Sequence, residues 1–207
     1  MIKLYDYPKS SAAYRVRIAC NLKGVAYESI EVNLLNQDQQ TEEYLRINPS
    51  GLVPCLIAED GTVLSQSLAI LKYLDQAFPN PPIFPRDPIG ESLVWEMVLI
   101  IGCDIHPLNN LRVLQYIQKN LDANEQEKSD WYSTWIQRGF SGLEALTKKS
   151  PGVFCFGNSV TAADILLAPQ MFNARRFNVD LEHFPNLVEI DRKLLKIAAF
   201  ASAAPDA

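Results

Sequence analysis

The chain has 207 residues, 48% of them apolar and 21% charged, with a net charge of −5. This composition excludes a disordered or low-complexity chain, and the acidic balance excludes the basic footprint of a nucleic-acid-binding domain. Four scattered cysteines (Cys20, Cys55, Cys103, Cys155) with no CxxC pair, and only two histidines, argue against a disulfide framework, a zinc ribbon or a histidine-rich metal site.

The chain opens on Met1-Ile2-Lys3-Leu4-Tyr5-Asp6, which lacks the apolar stretch of a signal peptide; a reducing, cytoplasmic setting is expected. Residues 2–5 read as a strand. Ser10-Ser11 precedes helix formers over 12–23, closed by Gly24, a hydroxyl start and a glycine stop. Residues 27–32 read as a second strand. Residues 41–47 read as a helix that stops before Asn48-Pro49-Ser50-Gly51. Residues 53–57 and 62–64 flank Glu59-Asp60-Gly61, a hairpin signal. Ser67 then caps a helix over 68–78, whose Leu68, Ile70, Leu71 and Leu74 form its apolar face. The order β-α-β-α-β-β-α predicts a mixed sheet covered by helices.

Four prolines fall within residues 79–85, where none fits a helix interior. This is the expected linker. The predicted division is 1–80 for an α/β domain, 81–87 for the linker and 88–207 for an all-α domain. Helices are predicted over 89–119, 125–149, 162–177 and 187–200, with 153–156 as the single strand candidate and a frayed tail over 201–207. The apolar run 94–103 is interrupted by Glu96 and is shorter than the roughly 20 residues of a membrane span, so it reads as a buried helix face. Thr161-Ala162-Ala163-Asp164 has capping-box spacing, with Val160 and Ile165 at the staple positions, and Asp164 is expected to serve folding rather than chemistry.

Three places carry chemistry. Ser10 and Ser11 stand where a strand hands over to a helix, whose free N–H groups and partial positive charge stabilise an anion such as a thiolate. A serine hydroxyl adds one donor; the plain alternative is an N-cap. Leu52-Val53-Pro54 precedes a strand, and a cis Val53-Pro54 bond would expose the Val53 N–H and C=O to a peptide-like ligand. Gln66-Ser67 opens a helix whose N-terminus can receive a carboxylate; Ser67 as a simple cap is the alternative.

The segment Ser10-Ser11-Ala12-Ala13-Tyr14-Arg15-Val16-Arg17-Ile18-Ala19 resembles the zeta-class glutathione transferase signature Ser-Ser-Cys-Ser-Trp-Arg-Val-Arg-Ile-Ala. Asn48-Pro49, Val53-Pro54, Gln66-Ser67-Leu68-Ala69-Ile70, Pro107-Leu108, Asn110-Leu111 and Arg176-Phe177 extend the resemblance over nearly the whole chain. It implies an α/β thioredoxin-like N-terminal domain, an all-α C-terminal domain and a homodimer. It also implies glutathione as cofactor, held by Ser10, Ser11, Val53, Gln66 and Ser67 and by His106, Asn110, Leu111 and Arg112, with Ser11 activating the thiol beside Ser10. Ala12 replaces the signature cysteine, which removes a second sulfur and disfavours redox exchange. Tyr14 replaces tryptophan, and His106 stands for a family glutamine.

The implied activity is glutathione-dependent cis–trans isomerisation of maleylacetoacetate to fumarylacetoacetate in tyrosine and phenylalanine breakdown. Alternatives are maleylpyruvate isomerisation, transfer to α-haloacids, or a non-catalytic assembly protein. An anionic, dicarboxylate-type substrate calls for cations. Arg15, Arg112 and Arg176 are the candidates, with Lys9 as an outsider, because the guanidinium fork matches a carboxylate. Arg17 and Arg175 read as solvated or interdomain ion pairs. The four cysteines and Trp95, Trp131 and Trp135 read as core, and Glu28, Glu31, Glu42 and Glu43 as solvated.

Overall fold

The computed structural model describes residues 1–150 and 152–205. The chain divides into two compact units: Met1–Pro82 joined by the segment from Lys196, and Ile83–Leu195.

The first unit is built on a four-stranded sheet in the order β2-β1-β3-β4. Strand β1 (Ile2–Asp6) is central, with Ile2 and Leu4 buried. Its parallel neighbour is β2 (Tyr27–Glu31), in register Leu4↔Ser29. On the other side β3 (Cys55–Ile57) pairs antiparallel, Leu4↔Leu56, and β4 (Val63–Ser65) closes a hairpin on it. The hairpin turns at Gly61, whose φ of 88° suits glycine, while Asp60 Oδ1 accepts from the Thr62 N–H at 2.9 Å.

The parallel β1–β2 pair needs a crossover, and α1 (Ser11–Lys23) supplies it. It ends at Gly24, left-handed at φ 64°, with the Val25 N–H bonding back to the Cys20 carbonyl at 2.9 Å. Every residue from Ser11 to Cys20 is buried. The reason is coverage from several sides: α1 packs on α3 (Ser67–Ala77) and on α9 (Ala198–Ala201). The short α2 (Glu42–Ile47) is capped by Thr41.

The C-terminal segment, predicted to belong to the helical domain and to fray, instead docks on α1. Tyr14 donates to the Phe200 carbonyl at 3.2 Å and Arg17 Nε to that of Ala203 at 2.9 Å. Buried carbonyls and a buried aromatic tie it down; Asp206 and Ala207 lie outside the described residues. Arg17 is also not solvated. Its Nη1 meets both oxygens of Asp6 at 2.7 and 2.9 Å, and its Nη2 the Pro8 carbonyl, all inside this unit. Lys23 is equally enclosed, donating to Asp75 at 3.0 Å and to the Phe78 and Pro81 carbonyls. The Val53-Pro54 and Asn80-Pro81 bonds are both cis.

The second unit holds α4 (Pro88–Leu99), α5 (Leu111–Asn120), α6 (Glu125–Lys149), α7 (Ala162–Arg176) and α8 (Pro185–Leu194). The predicted single helix over 89–119 is broken. After α4 the backbone widens into a π-helical stretch, Ile100–Ile105, with the His106 N–H reaching the Ile101 carbonyl at 2.9 Å. Pro107 has no N–H to continue the ladder, so the chain turns before α5. The helix predicted over 187–200 likewise ends at Leu194, and residues 153–156 form bends, not a strand.

Asp164 does what its spacing implies. Fully buried, it accepts from the Thr161 N–H and the Cys155 N–H, each at 2.8 Å, and from the Thr161 hydroxyl at 3.0 Å. Glu144 of α6 caps α8, accepting from the Asn186 and Leu187 N–H groups at 3.1 and 3.0 Å. Arg175 pairs with Asp191 of α8 at 2.6 Å, within this unit. Cys20, Cys55 and Cys155 are buried as expected, but Cys103 is exposed because it lies on the outer side of the π-helical stretch. Trp95, Trp131 and Trp135 are only half-buried: the Trp131 indole N–H donates to the Leu108 carbonyl at 2.9 Å, and Trp135 lies under Arg138. Glu28, Glu31, Glu42 and Glu43 are exposed.

Candidate active site

The first unit's candidates lie at two helix starts, linked by Arg15 and Ser67, and at one turn. Ser10 is the N-cap of α1, its Oγ accepting from the Ala13 N–H at 3.3 Å. Ser11 is the first helical residue and is buried. Ser10 thus does the plain capping work, and Ser11 is placed by it. Arg15 lies one turn on, on the same face as Ser11.

Ser67 is not the cap of α3. Gln66 takes that position at φ 73°, a left-handed angle rare outside glycine, and the Ile70 N–H bonds to its carbonyl at 3.0 Å. Such a backbone stores of order 1–3 kcal/mol and persists only where its surroundings impose it. Ser67 becomes the first helical residue, and its Oγ accepts from Arg15 Nη1 at 3.1 Å.

Arg15 was a candidate for an acceptor carboxylate. It is 1% exposed, with its Nη1 bonded to Ser67 Oγ at the first residue of α3. Burial lowers its pKa to about 10, so it stays charged at neutral pH.

Val53 sits in the cis turn before β3 and takes no part in the β3 ladders. The turn is fixed at the Leu52 carbonyl, which accepts from the Tyr44 hydroxyl at 2.6 Å and Asn48 Nδ2 at 2.7 Å. The unit's own thiols are ill suited to nucleophilic work. Burial pushes Cys20 up to about 12 and Cys55 up to about 11.

In the second unit the candidates fall in two groups. His106 ends the π-helical stretch, and Asn110 caps α5, its Oδ1 accepting from the Arg112 N–H at 3.2 Å. Leu111 and Arg112 occupy the exposed first turn of α5. Arg176 ends α7, exposed, with its guanidinium 5.4 Å from the Phe177 ring centre. Phe177 stacks on Tyr132 at 3.9 Å. Burial raises the Tyr132 hydroxyl pKa, and the nearby Arg176 charge partly offsets this. Asn109 holds the shelf by donating from Nδ2 to the Tyr132 carbonyl at 2.9 Å. Nothing in the sequence marks Tyr132 or Asn109, because their role arises only when α6 meets the turn before α5. Lys9 is exposed in the loop after β1.

A family profile for the glutathione S-transferase N-terminal domain matches residues 4–82. A probable maleylacetoacetate isomerase of Vibrio cholerae serotype O1 is 45% identical over 206 residues, spanning 98% of this chain and 95% of the relative. A zeta-class glutathione S-transferase of Euphorbia esula is 42% identical over 207 residues, spanning 99% of this chain and 90% of the relative. The chain belongs to the zeta-class glutathione transferase family. A solved bacterial maleylpyruvate isomerase of this zeta class superposes with a TM-score of 0.95 at 40% identity, covering 98% of this chain and 96% of that one. A maleylacetoacetate isomerase from Methylobacterium extorquens AM1, solved with malonate and glutathione bound, also gives a TM-score of 0.95 at 34% identity, with 98% and 96% coverage. The zeta-class fold accounts for the thioredoxin-like first unit. Among the described residues the second unit holds helices and no strand, and none of the chain's helices is long and apolar enough to cross a membrane.

Proposed function

We propose that this zeta-class chain is a glutathione-dependent cis–trans isomerase acting on maleylacetoacetate, within tyrosine and phenylalanine breakdown. The observation that carries this is the occurrence, in the first unit, of two serine-headed helix N-termini, at Ser11 and Ser67, beside the unit's own thiols, Cys20 and Cys55, which burial holds unreactive. Such a site is equipped to hold an anionic thiol ligand rather than to supply its own sulfur. When bound, glutathione would supply a sulfur nucleophile able to add reversibly at a carbon of the cis double bond, the π pair moving onto the conjugated carbonyl and, after rotation, returning to expel the same sulfur.

The chain's residues do the rest. The Ser11 hydroxyl and the α1 N–H groups hold the sulfur as thiolate. Lowering a thiol from its usual value by two pH units needs about 2.7 kcal/mol, within reach of one charge-assisted hydrogen bond and a helix terminus. Ser10 keeps that terminus in place. Gln66 and the Ser67 N–H groups receive a carboxylate, and the Val53 N–H and C=O pair with a peptide backbone. His106, Asn110, Leu111 and Arg112 are assigned glutathione contacts from the family likeness. Arg112 and Arg176 bind the carboxylates of the acceptor through their planar forks.

A second reading, maleylpyruvate as substrate, is favoured by the close structural relative of that activity. Four free cysteines, three of them buried, fit a reducing cytoplasm. An absorbance assay with maleylacetoacetate and with maleylpyruvate, with and without glutathione, tests the proposal. Glutathione-dependent turnover favouring maleylacetoacetate is the expected result, and Ser11→Ala lowers its kcat about 10- to 100-fold. Turnover of maleylpyruvate alone moves the chain to the second reading, and turnover indifferent to glutathione overturns both.

A further inference from the structure

Three buried cations distinguish the first unit. Arg17 meets Asp6 at 2.7 Å and Lys23 meets Asp75 at 3.0 Å. Arg15 has no such partner: among the described residues its one hydrogen bond goes to the neutral Ser67 Oγ, and its Nε and Nη2 are buried and unpaired. Its one partner, Ser67, heads the eleven-residue α3, so the guanidinium is bonded at a helix N-terminus, which carries partial positive charge and offers it no compensation. A buried water could occupy Nε and Nη2, but water does not neutralise a charge. Removing an ion from water without a partner is among the costliest arrangements a fold can contain.

We propose that Arg15 is the resident half of an ion pair whose other half is the ligand: a positioning residue that acts through Ser67 to fix the α-carboxylate of the γ-glutamyl group at the α3 N-terminus. This rests on the glutathione reading above. The chain keeps an uncompensated charge when empty, and binding the carboxylate completes the electrostatics of the site. Two consequences follow. Arg15 contributes to affinity for the carboxylate end of the ligand and not to the acceptor substrate. It also makes the empty protein less stable than a neutral residue of the same bulk would.

Calorimetric titration and thermal melting of wild type, Arg15→Met and Arg15→Lys test this. The ligands are glutathione and γ-aminobutyryl-cysteinyl-glycine, the same tripeptide lacking only the α-carboxylate. Wild type that binds neither tripeptide removes the glutathione reading itself. Given binding, Arg15→Met is expected to lose about 10- to 100-fold in affinity for glutathione, the range of a hydrogen bond to a charged group, and to match wild type for the decarboxylated tripeptide. Arg15→Lys recovers most of the loss. Empty Arg15→Met melts no lower than wild type and gains less from added glutathione. Equal losses for both tripeptides, no loss for either, or an empty Arg15→Met protein that melts lower or fails to fold overturns the proposal.

Discussion

Asp164 shows how one buried carboxylate is held and what that costs. Three donors converge on it, two backbone N–H groups and the Thr161 hydroxyl, and they fix the entry of α7. Burial nevertheless raises its pKa above the ordinary value of 3.8, with those hydrogen bonds offsetting only part of the effect. An acid whose pKa is raised on folding binds protons more tightly in the native state. Its contribution is therefore fully present below pH 3.8, falls as pH rises through the window up to its native pKa, and is constant above that. The urea midpoint of wild type, measured against that of Asp164→Asn from pH 3 upward, is expected to decline through this window. A difference that grows with pH would show that the hydrogen bonds outweigh desolvation. The same residue scale separates the serines: Ser10 caps, Ser11 follows, and Ser67 is held by Arg15. Arg15 and Ser67 are 52 positions apart, and no local pattern links them.

At the scale of elements, the junction of α4, the π-helical stretch and α6 decides where His106 stands. The π-helical turn brings Ile105 against α6 so closely that a Cβ on Gly139 would overlap Ile105 Cδ1 and Cγ1. Ile105 is fully buried and β-branched, so it has little room to yield. One turn along, a Cβ on Gly142 would stand 3.7 Å from Ile100 Cδ1, an ordinary contact. Alanine removes a helix penalty of about 1 kcal/mol at either glycine, while overpacking costs about 1–3 kcal/mol. Gly139→Ala is expected to lower unfolding free energy by up to about 2 kcal/mol, and Gly142→Ala to raise it by about 0.5–1 kcal/mol. Denaturant titration of the two variants checks this, and equal effects would show that Ile105 repacks. The apolar run 94–103 favours an unbroken helix over 89–119, and Pro107 is the residue at which that helix must end.

For the whole molecule, α4 presents Ile89 and Leu93, one turn apart, at 72% and 40% exposure. A stripe of large apolar residues left in water marks an interaction surface. We propose that the homodimer implied by the family resemblance buries Ile89 and Leu93. Sedimentation analysis is expected to return twice the chain mass for wild type, and Leu93→Lys to shift the population toward monomer. Wild type that sediments as a monomer at micromolar concentration would remove the proposal.

Much of this protein is determined by short-range physics and so is legible in the sequence. The Ser10 start and Gly24 stop of α1, the Asp60-Gly61 hairpin and the Thr161–Asp164 box each depend on neighbours within a few residues. The motifs around Ser11, Val53 and Gln66 suit a thiolate, a peptide backbone and a carboxylate in turn, and it is their resemblance to a family motif that joins them as one ligand. Tertiary structure alone decided the rest. It set Arg17 on Asp6 and the Ala203 carbonyl, carried the C-terminal segment back onto α1, and buried Arg15 behind Ser67 without a counter-charge. Whether a charge meets water, a carboxylate or neither is fixed by residues distant in the chain. An arginine's chemistry is therefore read from the folded molecule and not from its place in a motif.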